Sequence, residues 1–143
     1  MYSANAYEGL SATKILINAE ADVNAKDNYG NTVLMYNCRD LSRGIYDVLS
    51  PNVVKSLIRA GANINEVNKD GNTALLYAIY TYNISVEWEV VSDTLPTFET
   101  VKLLINNGAN VNIRNKEGET PLSLSRGYPE LNKLLKDSGA YLE

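Results

Sequence analysis

The side chains that could do chemistry are few, and their types and spacing limit what that chemistry could be. The chain of 143 residues contains no histidine, which removes Ser-His and Cys-His nucleophile activation and every His-containing metal site. Cys38 is the only cysteine, so no internal disulfide can form. It falls in an apolar helical segment and is predicted to be a small buried hydrophobe. Glu87, Glu89 and Asp93 lie close together, but paired carboxylates need a cleft and a raised pKa to act as acid and base. The sequence marks neither, and the three read as solvating charges. Gly30, Gly71 and Gly118 recur at intervals of 41 and 47 residues, too far apart for a phosphate-cradling loop. The chain is expected not to be an enzyme and to hold no cofactor or metal.

Composition narrows the partners. There are 17 acidic and 13 basic residues, for a formal charge of -4, and no Lys/Arg cluster interrupts the mixed pattern. Phosphate backbones and anionic lipids require concentrated positive charge, so neither nucleic acid nor membrane is an expected partner. The 45% hydrophobic content is that of a soluble fold. No window approaches the roughly 18 apolar residues of a membrane span, and Met1-Tyr2-Ser3-Ala4-Asn5 lacks the start of a signal peptide. A cytoplasmic setting is the default expectation.

The elements that must position any functional side chain are announced by repetition. Asp27-Asn28-Tyr29-Gly30-Asn31-Thr32-Val33-Leu34 is echoed by Asn68-Lys69-Asp70-Gly71-Asn72-Thr73-Ala74-Leu75 and by Asn115-Lys116-Glu117-Gly118-Glu119-Thr120-Pro121-Leu122. Each copy follows a second recurring phrase: Ala21-Asp22-Val23-Asn24, then Gly61-Ala62-Asn63-Ile64-Asn65, then Gly108-Ala109-Asn110-Val111-Asn112. Gly61 to Gly71 and Gly108 to Gly118 both span 10 residues, so the link between units is constant and the variation lies inside them. Each unit reads as two short helices. Thr32, Thr73 and Thr120 suit the N-cap of the first, and Pro121 suits its first turn. Stripes such as Val53-Val54-Lys55-Ser56-Leu57-Ile58 and Val101-Lys102-Leu103-Leu104-Ile105 have the spacing of the second. Gly61, Gly108 and Gly139 stand where such helices end.

These residues resemble the ankyrin repeat. Gly118-Glu119-Thr120-Pro121-Leu122 matches its first-helix start, and Val101 to Asn112 matches its second helix and Gly-Ala-Asn-Val-Asn exit, in a unit of roughly 33 residues. The resemblance implies an all-α solenoid of about four helix-turn-helix units in a single domain, 1–143. Residues 1–26 would be a truncated first unit, 27–67 and 68–114 two elongated units, and 115–143 a capping unit. A cap needs a polar outer face, which Glu130, Lys133, Lys136 and Asp137 can supply. The family's usual first-helix histidine is replaced by Met35, Leu76 and Ser123. One residue later, Tyr36 and Tyr77 are expected to be core or inner-face aromatics.

Against the family spacing the second unit carries about 8 extra residues and the third about 14, both between its helices. The first insertion region, 39–51, has Leu41, Ile45, Val48 and Leu49 at helical spacing. In the second, 80–98, Ile84, Val86, Trp88 and Val90 alternate with polar residues, a period-two pattern of extended chain. The only tryptophan and the only phenylalanine, Trp88 and Phe98, lie there. Two readings stand: the insertions pack on each other as a satellite cluster, or Trp88 anchors a partner, since tryptophan is enriched at interface hot spots.

For function, the resemblance implies a protein–protein interaction module, expected to be monomeric. It would bind a protein through a concave face of turn fingers and first helices. Carried over residue by residue, the finger positions are Asn28, Tyr29 and Asn31, then Lys69, Asp70 and Asn72, then Lys116, Glu117 and Glu119. Arg39, Asp40, Tyr80 and Thr81 are the first-helix positions expected on the same face, with Trp88 as a second contact. The alternative is a regulatory or inhibitory subunit that masks a dedicated enzyme or toxin.

Overall fold

A computed structural model of the chain describes residues 15, 17–39, 51–87 and 96–142. Six helices follow in order: α1 Val33–Cys38, α2 Pro51–Arg59, α3 Ala74–Glu87, α4 Pro96–Asn106, α5 Pro121–Leu124 and α6 Pro129–Asp137. Residues 15, 17 and 18 are also helical. Helix α1 packs on α2 and α3, α2 on α4, α3 on α4 and α5, and α5 on α6. The first helices of successive units thus form one layer (α1, α3, α5) and the second helices another, which is the stack of helical pairs expected of a solenoid.

The first helices start where the threonines dictate. Thr32 Oγ1 accepts the Met35 N–H and Thr73 Oγ1 the Leu76 N–H, both at 3.4 Å. At α5 the cap is reciprocal: the Ser123 N–H donates to Thr120 Oγ1 at 3.1 Å, and the Thr120 N–H donates to Ser123 Oγ at 2.9 Å. Two orphan donors are satisfied at once. The core runs between the layers through Leu34, Met35, Cys38, Val54, Leu57, Leu75, Leu76, Ile79, Val101, Leu104, Leu122, Leu131 and Leu135, all buried. Met35 and Leu76 therefore put apolar volume where a histidine was expected. Burial pushes the Cys38 thiol up to about 12, so the one cysteine is a packing residue. On α6 Glu130, Lys133, Lys136 and Asp137 are exposed.

The second insertion region departs from expectation. Helix α3 does not stop near Tyr80 but continues to Glu87, so residues 84–87 are helical and not extended. No glycine or proline interrupts the chain from Ala74 to Glu87, and once a helix has nucleated each added residue contributes a hydrogen bond. Thr81 fixes this extension to the previous unit: its hydroxyl lies 3.0 Å from the Cys38 carbonyl and 3.0 Å from that of Tyr77. Phe98, at the start of α4, packs on Tyr82 with ring centroids 5.6 Å apart, and Tyr82 meets Tyr128 edge-on at 5.8 Å. Tyr82 and Phe98, one on each side of the undescribed residues 88–95, are thus joined in one aromatic cluster with Tyr128. Trp88, Asp40 and the helical spacing expected over 41–49 lie outside the described residues.

Candidate functional site

The three fingers are built alike. In each, the first residue accepts from the N–H two and four positions on through its side-chain oxygen. Asp27 Oδ1 takes the N–H of Tyr29 at 2.9 Å and of Asn31 at 2.8 Å, Asn68 Oδ1 those of Asp70 and Asn72 at 3.0 and 2.9 Å, and Asn115 Oδ1 those of Glu117 and Glu119 at 3.1 and 2.8 Å. A backbone bond closes each turn on its glycine, as in Gly71 N–H to Asn68 O at 3.0 Å. Asp or Asn at the first corner and Gly at the fourth is the composition this turn favours.

Adjacent fingers are joined twice. On the backbone, the Lys69 N–H donates to Tyr29 O and the Lys116 N–H to Asp70 O, both at 2.9 Å. Through side chains, Asn68 Nδ2 donates to Asn31 Oδ1 at 2.8 Å, and Asn115 Nδ2 to Asn72 Oδ1 at 3.0 Å. A second asparagine series ties the exits together. Asn24 donates to Gly61 O at 3.0 Å while accepting the Asn63 N–H at 2.7 Å. Asn65 makes the same pair with Gly108 and Asn110, and Asn112 with Gly139 and Tyr141.

This sorting separates the residues singled out from the sequence. Asn31 is buried, and Asn72 and Glu119 are partly buried. Their side chains are spent inside the stack, Glu119 on Asn115 Nδ2 at 2.9 Å and on the Tyr80 hydroxyl. Tyr80 is likewise partly buried, and burial followed by the Glu119 bond raises its phenol above the ordinary range. Thr81 is buried between helices and does not reach the finger face. Asn28, Tyr29, Lys69, Asp70, Lys116 and Glu117 remain exposed, side by side on three consecutive tips. Among the described residues the ion pairs are Lys26–Glu66, Lys102–Glu99 and Lys133–Asp137, none of which uses a tip charge. The residues missed from the sequence are Asp27, Asn68 and Asn115. Their signal was present, an Asp or Asn three residues before every repeated glycine.

The phenols mark the first-helix side of this surface. Tyr36 and Tyr77 each lie nine residues beyond the first residue of their finger and bond to it: the Tyr36 hydroxyl donates to Asp27 Oδ2, and Tyr77 Oη accepts from Asn68 Nδ2 at 2.8 Å. Tyr77 is 8% exposed, as an inner-face aromatic should be, whereas Tyr36 is 51% exposed. Arg39 places its guanidinium over the Tyr77 ring, 5.3 Å from the centroid.

The Tyr36 bond, aided by the N–H groups of Asn31 and Tyr29, holds the Asp27 carboxyl down at about 2, against an ordinary value of 3.8. A carboxyl depressed in the folded state contributes stability that is fully present above its unfolded value and lost as pH falls through the folded one. The stability difference between the native chain and Asp27→Asn should accordingly be level above about pH 4 and shrink towards pH 2. Urea titrations at a series of pH values measure it, and a difference that instead changes between pH 5 and 7 would assign the linkage to another group.

Among the described residues no group of three or more His, Cys, Asp or Glu side chains could hold a metal ion, and no helix is long and apolar enough to cross a membrane. A family model described as ankyrin repeats (3 copies) matches residues 45–143. No curated protein matches the chain significantly. The finger at 27–31 lies ahead of the matched region yet repeats its hydrogen bonds, so the same architecture extends upstream.

Proposed function

The chain belongs to the ankyrin-repeat family, and from that premise we propose that it binds a protein partner on the concave face formed by its finger tips and first helices. Ankyrin repeats are generally protein–protein interaction modules. The observation that carries this reading is the row of tips. Asn28, Tyr29, Lys69, Asp70, Lys116 and Glu117 are exposed, in register through the inter-finger backbone bonds, and among the described residues no hydrogen bond or ion pair uses their side chains. A rigid scaffold presenting variable loop residues is how repeat folds carry recognition. We further assign units at 1–26, 27–67, 68–114 and 115–143, a monomeric state, and the Trp88 stretch as a second contact.

Capture of bound proteins from a lysate, read by mass spectrometry, tests both surfaces. The double variant Tyr29→Ala/Asp70→Ala should lose the proteins bound through the tips, and Trp88→Ala those bound through the insertion. An unchanged set for both variants would overturn both assignments. One dedicated partner, recovered stoichiometrically, would instead identify a masking subunit.

A further inference from the structure

The finger face contains two phenol rings in the same register and in different states. Tyr77 and Tyr36 are each tied by their hydroxyls to the first residue of their finger, nine positions back. The Tyr77 ring is covered by a guanidinium from the preceding unit, Arg39 at 5.3 Å, within the range at which a cation is attracted to a ring face. The Tyr36 ring is half-exposed, and among the described residues no cation lies over it.

We propose that the Tyr36 ring is a seat for a cationic side chain of the partner, arginine above all, repeating on the second unit the contact that Arg39 makes on the third. The proposal rests on the reading of this face as a protein-binding surface and names the side chain it selects.

Three features favour a cation over an apolar or acidic side chain. The Tyr36 hydroxyl already donates to Asp27, so the side chain offers the partner a ring face and not a free hydroxyl. The Asp27 carboxylate behind it makes the ring more electron-rich and attracts positive charge directly. Lys26, the basic residue next to Asp27, is neutralised by Glu66. Arg39 opposes the binding of a second cation, but its guanidinium is stacked on Tyr77 and Asp27 offsets its charge. A guanidinium is planar, weakly hydrated and stacks on aromatic faces, which places arginine ahead of lysine.

The test is selection of a random heptapeptide display library on the full native chain and on Tyr36→Leu and Tyr36→Phe. The native chain should enrich Arg and Lys at one peptide position by about 5-fold over the unselected library, the size of an exposed cation–ring contact. Tyr36→Phe keeps the ring and should keep the preference; Tyr36→Leu should lose it while retaining its helical circular dichroism. Enrichment of leucine, aromatic or acidic residues in place of Arg and Lys would overturn the proposal, and so would an Arg/Lys preference that survives in Tyr36→Leu. If lysate capture still depends on Tyr29 and Asp70 in either case, only this inference falls. If capture is indifferent to those tips, the face itself has been misassigned.

Discussion

Replacing Asn68 by alanine is expected to remove about 3–5 kcal/mol of stability, the sum of several orphaned hydrogen-bonding groups at about 1 kcal/mol or more each. The amide Oδ1 accepts two backbone N–H groups of its own finger, and Nδ2 donates to Asn31 Oδ1 and Tyr77 Oη, both buried. Alanine satisfies none of these. Total stabilities are of order 5–15 kcal/mol, so the loss is a large share of the whole. The chain itself suggests the milder substitution. Asp27 occupies the equivalent place one unit earlier and accepts a hydrogen bond from the Tyr36 hydroxyl. Asn68→Asp should therefore keep the turn and accept the Tyr77 hydroxyl, losing the donation to Asn31 and adding the cost of a carboxylate at a buried site where Asp27 is exposed. Urea denaturation should order the variants as native, Asn68→Asp, Asn68→Ala. Asn28→Ala, at an exposed tip, should fall within about 0.5 kcal/mol of the native chain. Equal losses for Asn28→Ala and Asn68→Ala would refute this account of the fingers.

The second large effect is at Gly71, with Gly118 as its control. Both have left-handed backbone, φ +79° and +81°, which costs a residue with a Cβ about 1–2 kcal/mol. They differ in what the Cβ would meet. At Gly118 nothing lies within 4 Å, whereas at Gly71 it would stand 3.1 Å from Asn115 Cα and 3.2 Å from the Lys116 nitrogen. Those are backbone atoms of the next finger, held by the Lys116 N–H to Asp70 O bond, and cannot rotate away. Gly118→Ala should cost about 1 kcal/mol from backbone strain, and Gly71→Ala about 2–3 kcal/mol once the displaced finger is added. Thermal or urea unfolding of the pair measures the difference directly. Indistinguishable variants would show that the fingers are not in close register.

These two predictions also mark what the sequence could and could not disclose. The repeated glycine, the threonine caps and the helical stripes are local signals, each satisfied within a few residues of chain, and the corresponding elements were readable without a structure. The finger positions were readable as a set but not as individuals. Asn31 and Asn72 look as polar and as free as Asn28 until the next unit places Asn68 and Asn115 against them. That contact spans 37 residues in one case and 43 in the other, and no local pattern encodes it. Helix α3 departs from its local sequence pattern beyond Tyr80 for the opposite reason. Its alternating apolar residues are a local strand signal, overridden by a helix already nucleated upstream and held by the buried Thr81. Tyr36 and Tyr77 were legible as equivalent. Their different exposure, 8% for Tyr77 under Arg39 and 51% for Tyr36, is set by tertiary neighbours that no local pattern encodes.

The central claim, that recognition lies on the finger tips, is tested most directly by photo-crosslinking in cells. A benzophenone amino acid is placed at Asp70, on the tips, and separately at Lys55, exposed on the second helix α2. The account predicts a protein partner crosslinked from Asp70 and absent from Lys55, and a partner captured from Lys55 and not from Asp70 would contradict it.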